Sequence, residues 1–261
     1  MIAFAVGLGI GANAGRSDEQ GGGTAAVADG APANEVPTVS GFGGDVPILM
    51  YHAIEVPPPT AAYPDLYVPL AEFKDQIRWL ERRGYHAVTL GQVFAAWFDG
   101  ADIAANPVVI SFDDGIQSQY THAFPALAKR EWPAVLNLTV KSLDEGDVGV
   151  DQVEEMIASG WEIGSHTFTH ADVSTLDEAG LKREIGASRA ELSERLGVPV
   201  DFFCYPAGAY DEDAIAAVRR AGYRGATTTE PGLGSPKQRW TLKRIRVSGG
   251  DGAAGLAAAL D

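Results

Sequence analysis

Short apolar runs recur along the chain at 46–51, 85–89, 107–112, 134–139, 161–165, 200–205, 223–228 and 242–247. Stretches of helical periodicity separate them. Phe73, Ile77 and Leu80 return at the spacing that gives a helix one apolar face, and Leu181, Ile185, Ser188, Leu192 and Leu196 do the same. Several of these stretches stop at a glycine, as in Arg83-Gly84, Ser159-Gly160, Leu196-Gly197 and Ala221-Gly222, where a left-handed residue closes a helix without a Cβ penalty. The strands are continuously apolar rather than alternating, which predicts burial on both faces. Buried strands alternating with amphipathic helices define an α/β class, a parallel sheet or barrel clothed in helices.

Ahead of the first strand this pattern is lost. Residues 15–45 are Gly, Ala, Pro, Ser, Asp and Glu without either period, and read as a flexible linker that cannot bury enough apolar surface to offset chain entropy. Residues 1–14 hold an apolar run followed by Ala12-Asn13-Ala14, the small-x-small pattern of a signal-peptidase site, although no Lys or Arg precedes Arg16. They read as a signal peptide or anchor remnant, which predicts a secreted or cell-surface protein. The run is shorter than the roughly 20 apolar residues that span a bilayer, and no membrane span is expected in the folded domain. The folded domain is expected over 46–250, with 251–261 as a C-terminal tail.

With 46% hydrophobic and 21% charged residues in 261, one domain with a substantial core is the default. A formal charge of -15 argues against nucleic acid or an anionic membrane as a partner held by bulk electrostatics, since both carry the same sign. Cys204 is the single cysteine, so neither an intramolecular disulfide nor a cysteine-rich zinc site is available. Oligomeric state leaves no mark in the sequence.

Three strand ends carry chemistry. Asp113 and Asp114 follow the run 107–112 and precede Gly115, a pattern also common in ordinary turns. His166 and His170 follow the run 161–165, four residues apart, a spacing that lets both rings face one point from a helical turn. Two neutral imidazoles and one carboxylate make a three-ligand site with open positions, the way catalytic zinc is held. His52 follows the first strand and so falls at the same end, where barrels and open sheets place their active sites. His86 begins a strand and His122 lies in a helical stretch, and neither is expected to act. Cys204 reads as a buried thiol and Tyr205 as the end of a strand before the turn Pro206-Ala207-Gly208.

Ser111-Phe112-Asp113-Asp114-Gly115 together with His166-Thr167-Phe168-Thr169-His170 resembles the first two motifs of the polysaccharide deacetylase family, the NodB-homology carbohydrate esterases. The order of Pro47-Ile48-Leu49-Met50-Tyr51-His52, then Phe73 to Tyr85, then Tyr205-Pro206-Ala207-Gly208 is most similar to the branch of poly-β-1,6-N-acetylglucosamine N-deacetylases, over about residues 46–247. The resemblance implies a distorted (β/α) barrel of parallel strands wrapped by helices. It further implies a divalent metal, usually zinc, held by Asp114, His166 and His170, with Asp113 as general base and His52 as the catalytic acid. A backbone N–H at Ala207, in the turn after Tyr205 and Pro206, would stabilise the oxyanion. The implied partner is a polysaccharide containing N-acetylglucosamine.

One departure stands out. The more common family pattern has an arginine four residues before the glycine of the third motif, and Cys204 occupies that place. Arg244 or Arg246 on the last strand could orient Asp113 instead; Arg244 is preferred, the other reading being a solvent-facing arginine on an alternating strand. Residues 56–69 form a proline-rich loop with Tyr63 and Tyr67, a rim for a sugar ring or simply loop packing. Peptidoglycan, chitin-oligomer and acetylxylan deacetylation use the same metal and base and stay open, as does a non-catalytic glycan-binding domain of the same fold.

Overall fold

The computed structural model describes residues 36–260. Residues 1–35, on which the expected signal peptide or anchor remnant and most of the expected linker fall, and Asp261 lie outside the described residues. The strands are β1 (Thr38–Val39), β2 (Ile48–Tyr51), β3 (His86–Val88), β4 (Ile103–Ala104), β5 (Pro107–Asp114), β6 (Val135–Leu138), β7 (Glu162–Ser165), β8 (Phe202–Cys204), β9 (Gly225–Pro231) and β10 (Leu242–Arg246). The helices are α1 (Leu70–Arg82), α2 (Leu90–Phe94), α3 (Phe124–Ala128), α4 (Val140–Glu145), α5 (Val150–Ala158), α6 (Glu178–Leu181), α7 (Ser188–Leu196), α8 (Glu212–Arg220) and α9 (Gly252–Leu260). Each of the apolar runs read from the sequence carries one strand of the main sheet. Among the described residues no helix is long and apolar enough to cross a membrane.

The main sheet is parallel throughout and closes on itself. Its order is β2-β10-β9-β8-β7-β6-β5, and β5 pairs back to β2, with Leu49 opposite Ile110 and Tyr51 opposite Phe112. The result is a seven-stranded barrel clothed in helices. β3 is an added strand: Val109 is bridged to Ile48 in β2 and also to Val88 in β3, so β3 lies on the flank of β5 opposite β2. Parallel pairing follows from the helical crossovers, and closure removes the sheet edges that would otherwise need covering.

Strand alternation sorts the barrel residues into two sets. Leu49, Tyr51, Ile110, Phe112, Leu136, Leu138, Ile163 and Phe203 pack with the helices in one large cluster. Ile48, Val109, Val135, Phe202 and Leu242 form a second cluster with Phe94 of α2, which plugs the N-terminal end of the barrel. Phe94 meets Phe202 edge-on at 4.7 Å, and Gly225 makes room for it, because a Cβ there would lie 2.4 Å from the ring. Above this apolar layer the alternate positions are polar: Ser111, Asp113, Asn137, Thr227 and Arg244, with Cys204, all buried.

The flanks of the domain extend beyond the expected 46–250. β1 pairs antiparallel with β4, and Trp97 Nε1 donates to the Gly44 carbonyl at 2.9 Å. The stretch read as a tail forms α9 against α1: Glu72 accepts the N–H groups of Gly250 and Gly252, and Leu256 is buried. Gln76 joins this contact to the core by accepting from Tyr51 Oη at 3.0 Å. Truncation after Gly249 re-exposes the surface under Leu256 and removes the Gly250 and Gly252 donors of Glu72, and lowers the unfolding free energy by about 1.5–3 kcal/mol, measured by urea denaturation.

Candidate active site

The last two residues of β5 are Asp113 and Asp114, so the carboxylates end the strand rather than follow it. Neighbours on a strand point to opposite faces. Asp113 points into the barrel and is 2% exposed. Asp114 has φ 80 and Gly115 φ 78; this left-handed pair breaks the alternation where the strand meets the loop. There the Asp114 carboxylate meets both histidines.

His166 directly follows β7. Its Nδ1 is bonded to the Cys204 carbonyl at 2.7 Å, which leaves Nε2 facing Asp114 Oδ1 at 3.5 Å. His170 Nε2 stands 3.4 Å from the same oxygen, and the two rings meet edge-on at 4.8 Å. The expected helical turn does not form. Residues 166–170 are an irregular loop in which Thr167 (φ 70) and His170 (φ 66) are left-handed, and these reversals bring the second ring over the first. Burial opposes a charge on His166, but Cys204, Asp114 and Asp113 around it outweigh burial and push its pKa well above the usual histidine value. For His170, burial and the His166 charge act together and push it down.

Below these three side chains Arg244 lies fully buried across the barrel. Its Nη1 and Nη2 donate to the two oxygens of Asp113 at 2.8 and 2.7 Å, Nε to the Thr228 carbonyl at 2.7 Å, Nη1 also to Ser111 Oγ at 3.2 Å and Nη2 to Cys204 Sγ at 3.2 Å. All five guanidinium N–H groups thereby have acceptors. A register shift between β9 and β10 near Arg244 turns the Thr228 carbonyl towards Nε. Arg246 is exposed and takes no part. Burial alone would raise the Asp113 pKa, but the Arg244 guanidinium holds its carboxyl well below the usual carboxylate range.

His52 stands beyond the end of β2 with Nε2 3.9 Å from Asp113 Oδ2. Its Nδ1 is buried without a hydrogen-bond partner among the described residues, and burial pushes its pKa below the usual value. The turn Pro206–Gly208 follows β8 at the same end of the barrel. Ala207 is left-handed (φ 52) and exposed, and the hydrogen bonds of the turn leave its N–H unused. The Tyr205 side chain is not at the site: it is fully buried, its ring packed on Phe203 and Tyr210. Pro206 is likewise buried. His86 and His122 lie apart, their Nδ1 atoms on the Ala105 and Ile54 carbonyls.

Two partners of the aspartate escaped the sequence reading. Asn137 Nδ2 donates to Asp113 Oδ1 at 2.8 Å, and Gln119 Nε2 bridges the carbonyls of Asp113 (2.6 Å) and His52 (3.1 Å). The available signal was a polar residue interrupting an apolar strand, as Asn137 interrupts 134–139. A cavity of about 220 Å³ opens beside Asp114 and His170, lined by Thr139, Lys141, Glu145 and Asp147. A larger depression of about 690 Å³ on the helical exterior, near Leu181 and Ala217, contains none of the site residues.

Comparisons with known proteins bear on the family and the fold. The polysaccharide deacetylase profile matches residues 101–226. The candidate polysaccharide deacetylase YxkH of Bacillus subtilis (strain 168) is 31% identical over 207 residues, spanning 78% of this chain and 72% of its own. The poly-β-1,6-N-acetyl-D-glucosamine N-deacetylase of Escherichia coli (strain K12) is 27% identical over 221 residues, spanning 67% of this chain but 33% of that protein. Among solved structures, Streptococcus pyogenes deacetylase PplD in complex with acetate superposes with a TM-score of 0.78 at 26% identity, over 84% of this chain and 100% of that one. The chain belongs to the polysaccharide deacetylase family, with the barrel of the NodB type. Its enzyme class is that of a deacetylase, a carbohydrate esterase.

Removing one partner of a buried ion pair leaves the other charge uncompensated. Asp113→Asn therefore lowers stability by about 3–5 kcal/mol at neutral pH. The pH dependence has a definite sign. The folded-state pKa of Asp113 is depressed, so its contribution is fully present above the unfolded value of about 3.9 and is lost as pH falls through the folded value. Urea denaturation across pH will show the gap between wild type and Asp113→Asn constant from pH 6 to 8 and shrinking below pH 4.

Proposed function

We propose that the protein is an exported or cell-surface, metal-dependent N-deacetylase that removes acetyl groups from N-acetylglucosamine units of a polysaccharide. One observation carries this reading: Asp114, His166 and His170 bring their ligand atoms together at the C-terminal mouth of the barrel, beside an Asp113 clamped by Arg244 and faced by His52. The relatives support the substrate. The Escherichia coli protein is named for poly-β-1,6-N-acetyl-D-glucosamine, and the Streptococcus pyogenes deacetylase holds acetate, the acid this reaction would release.

The donor set fits a divalent ion. Asp114 Oδ1 is buried with no hydrogen-bond partner among the described residues, and the three ligand atoms lie within 4.8 Å of one another. Two imidazoles and a carboxylate are the ligand types of catalytic zinc sites, which keep a position open. When bound, zinc supplies Lewis acidity to an acyl oxygen and lowers the pKa of a water to about 7.

The chain's own groups move the protons. Asp113 stays ionised at every working pH because of Arg244. Its Oδ1 accepts from the nitrogens of both Asn137 and Arg244, whereas Oδ2 accepts from one nitrogen, Arg244 Nη2, and faces His52, so Oδ2 accepts the proton of the attacking water. Burial keeps His52 neutral at pH 7, and the ring must receive a proton before it can give one. Asp113 Oδ2, 3.9 Å from its Nε2, is the nearby source. His52 then protonates the departing nitrogen, since an amine anion is too poor a leaving group to depart unaided. The Ala207 N–H donates to the oxyanion that develops on the acyl carbon. One water adds across the amide C–N bond, giving acetate and a free amino sugar.

Acetate release from β-1,6- and β-1,4-linked N-acetylglucosamine oligomers will be abolished by chelation and restored by zinc, and the two rates rank the linkages. No release from either by zinc-loaded protein would sink the reading. Asp113→Asn and His52→Ala retain zinc while kcat falls by roughly 10²–10⁴, whereas His166→Ala loses both zinc and turnover. Equal zinc loss in all three variants, measured by metal analysis after gel filtration, would remove this division of roles.

A further inference from the structure

Glu184 takes no part in the chemistry above, yet it is 4% exposed and points at the loop between the two histidines. Its Oε2 accepts the N–H groups of Phe168 at 3.0 Å and Thr169 at 2.9 Å. The neighbouring cation, Arg183, reaches the other oxygen at only 3.6 Å from a side chain that is 63% exposed. A carboxylate leaves water at a high cost unless donors replace its hydration, and here the replacement is the loop backbone itself. Glu184 sits in the π-helical stretch Lys182–Ala187 between α6 and α7, a local widening that is frequent at functional positions.

The backbone polar groups of this loop can be followed one by one. The His166 N–H donates to the Leu138 carbonyl, and the Thr167 and Phe168 carbonyls accept from Val140 and Lys141 at the start of α4. The His170 N–H donates to Thr167 Oγ1 at 2.8 Å. Of the three amides between them, those of Phe168 and Thr169 both rest on Glu184. Left-handed Thr167 and His170 are costly conformations that persist only where the surroundings over-determine them.

The two histidines are held differently. His166 has its Nδ1 fixed by the Cys204 carbonyl, so the ring is oriented independently of the loop. The His170 side chain is 47% exposed, and among the described residues no other residue hydrogen-bonds its Nδ1. Its ring goes where the main chain at 168–170 puts it. We propose that Glu184 is a positioning residue of the metal site, holding the Phe168 and Thr169 amides so that His170 Nε2 faces Asp114. This inference rests on the reading of Asp114, His166 and His170 as metal ligands.

The test is zinc affinity of the full-length protein, by competition with a chromogenic chelator, alongside thermal unfolding of the metal-free protein. Glu184→Ala will weaken zinc binding about 10–100-fold, the range for loss of an outer partner of a metal ligand. Glu184→Gln, whose amide oxygen still accepts both N–H groups, will restore it to within about threefold. Should the alanine variant not fold, Glu184→Asp, which withdraws the acceptor by one methylene, will show the same loss. A folded alanine or aspartate variant with wild-type zinc affinity overturns the inference, as does equal weakening in the glutamine variant. A wild-type protein that binds no zinc overturns the metal reading and this inference with it.

Discussion

The buried pair of Arg244 and Asp113 organises the upper half of the barrel. An arginine taken wholly out of water is tolerated only if every N–H finds an acceptor and its charge a counter-charge. Asp113 provides the counter-charge in a two-point contact, and Thr228, Ser111 and Cys204 take the remaining donors. These partners come from β5, β8 and β9, so the pair ties β10 to three other strands. Cys204 is part of that arrangement. Where the more common family pattern has an arginine, a small side chain stands here 3.2 Å from a guanidinium arriving from another strand. A second arginine at that position would compete for the same space and the same carboxylate.

This constraint divides the barrel by height. The lower interior is apolar and sealed by Phe94, the upper interior is polar, and Asp114, His166 and His170 sit on the rim above. Stability and chemistry are thereby assigned to different layers of one closed sheet. Rigidity from below reaches the site through short links: the Cys204 carbonyl fixes His166, and Gln119 joins the ends of β2 and β5 through their carbonyls.

The same pair sets what Asp113 can do. A carboxylate held so far below the usual range is a weak base, and cannot take a proton from ordinary water at a useful rate. It suits a site in which the water is already acidified, as a divalent ion held by Asp114, His166 and His170 would allow. Neutral His52 complements this, since a proton placed on a weak base passes readily to a neighbouring imidazole. In the proposed mechanism the two residues act as one relay, with Arg244 keeping its first member charged and in place.

The sequence by itself determined the elements and the end of the sheet at which chemistry gathers. Continuous apolar runs and helical spacing are local properties, and residues directly after parallel strands fall on one side of the sheet whatever the closure. This is why Asp113, Asp114, His166, His170 and His52 were legible as a constellation. Tertiary structure decided what depends on partners distant in the chain. Whether Arg244 or Arg246 faces inward turns on the register of β10. Asn137 and Gln119 became visible only once β6 and the turn after β5 were placed beside Asp113. The left-handed residues Thr167 and His170 replaced the expected helical turn, since backbone reversals away from glycine leave no composition signal. Tyr205 faced the helices instead of the site for the same reason that Cys204 faced Arg244: alternation along β8 places neighbours on opposite faces, and only closure of the barrel determines which face is the inside.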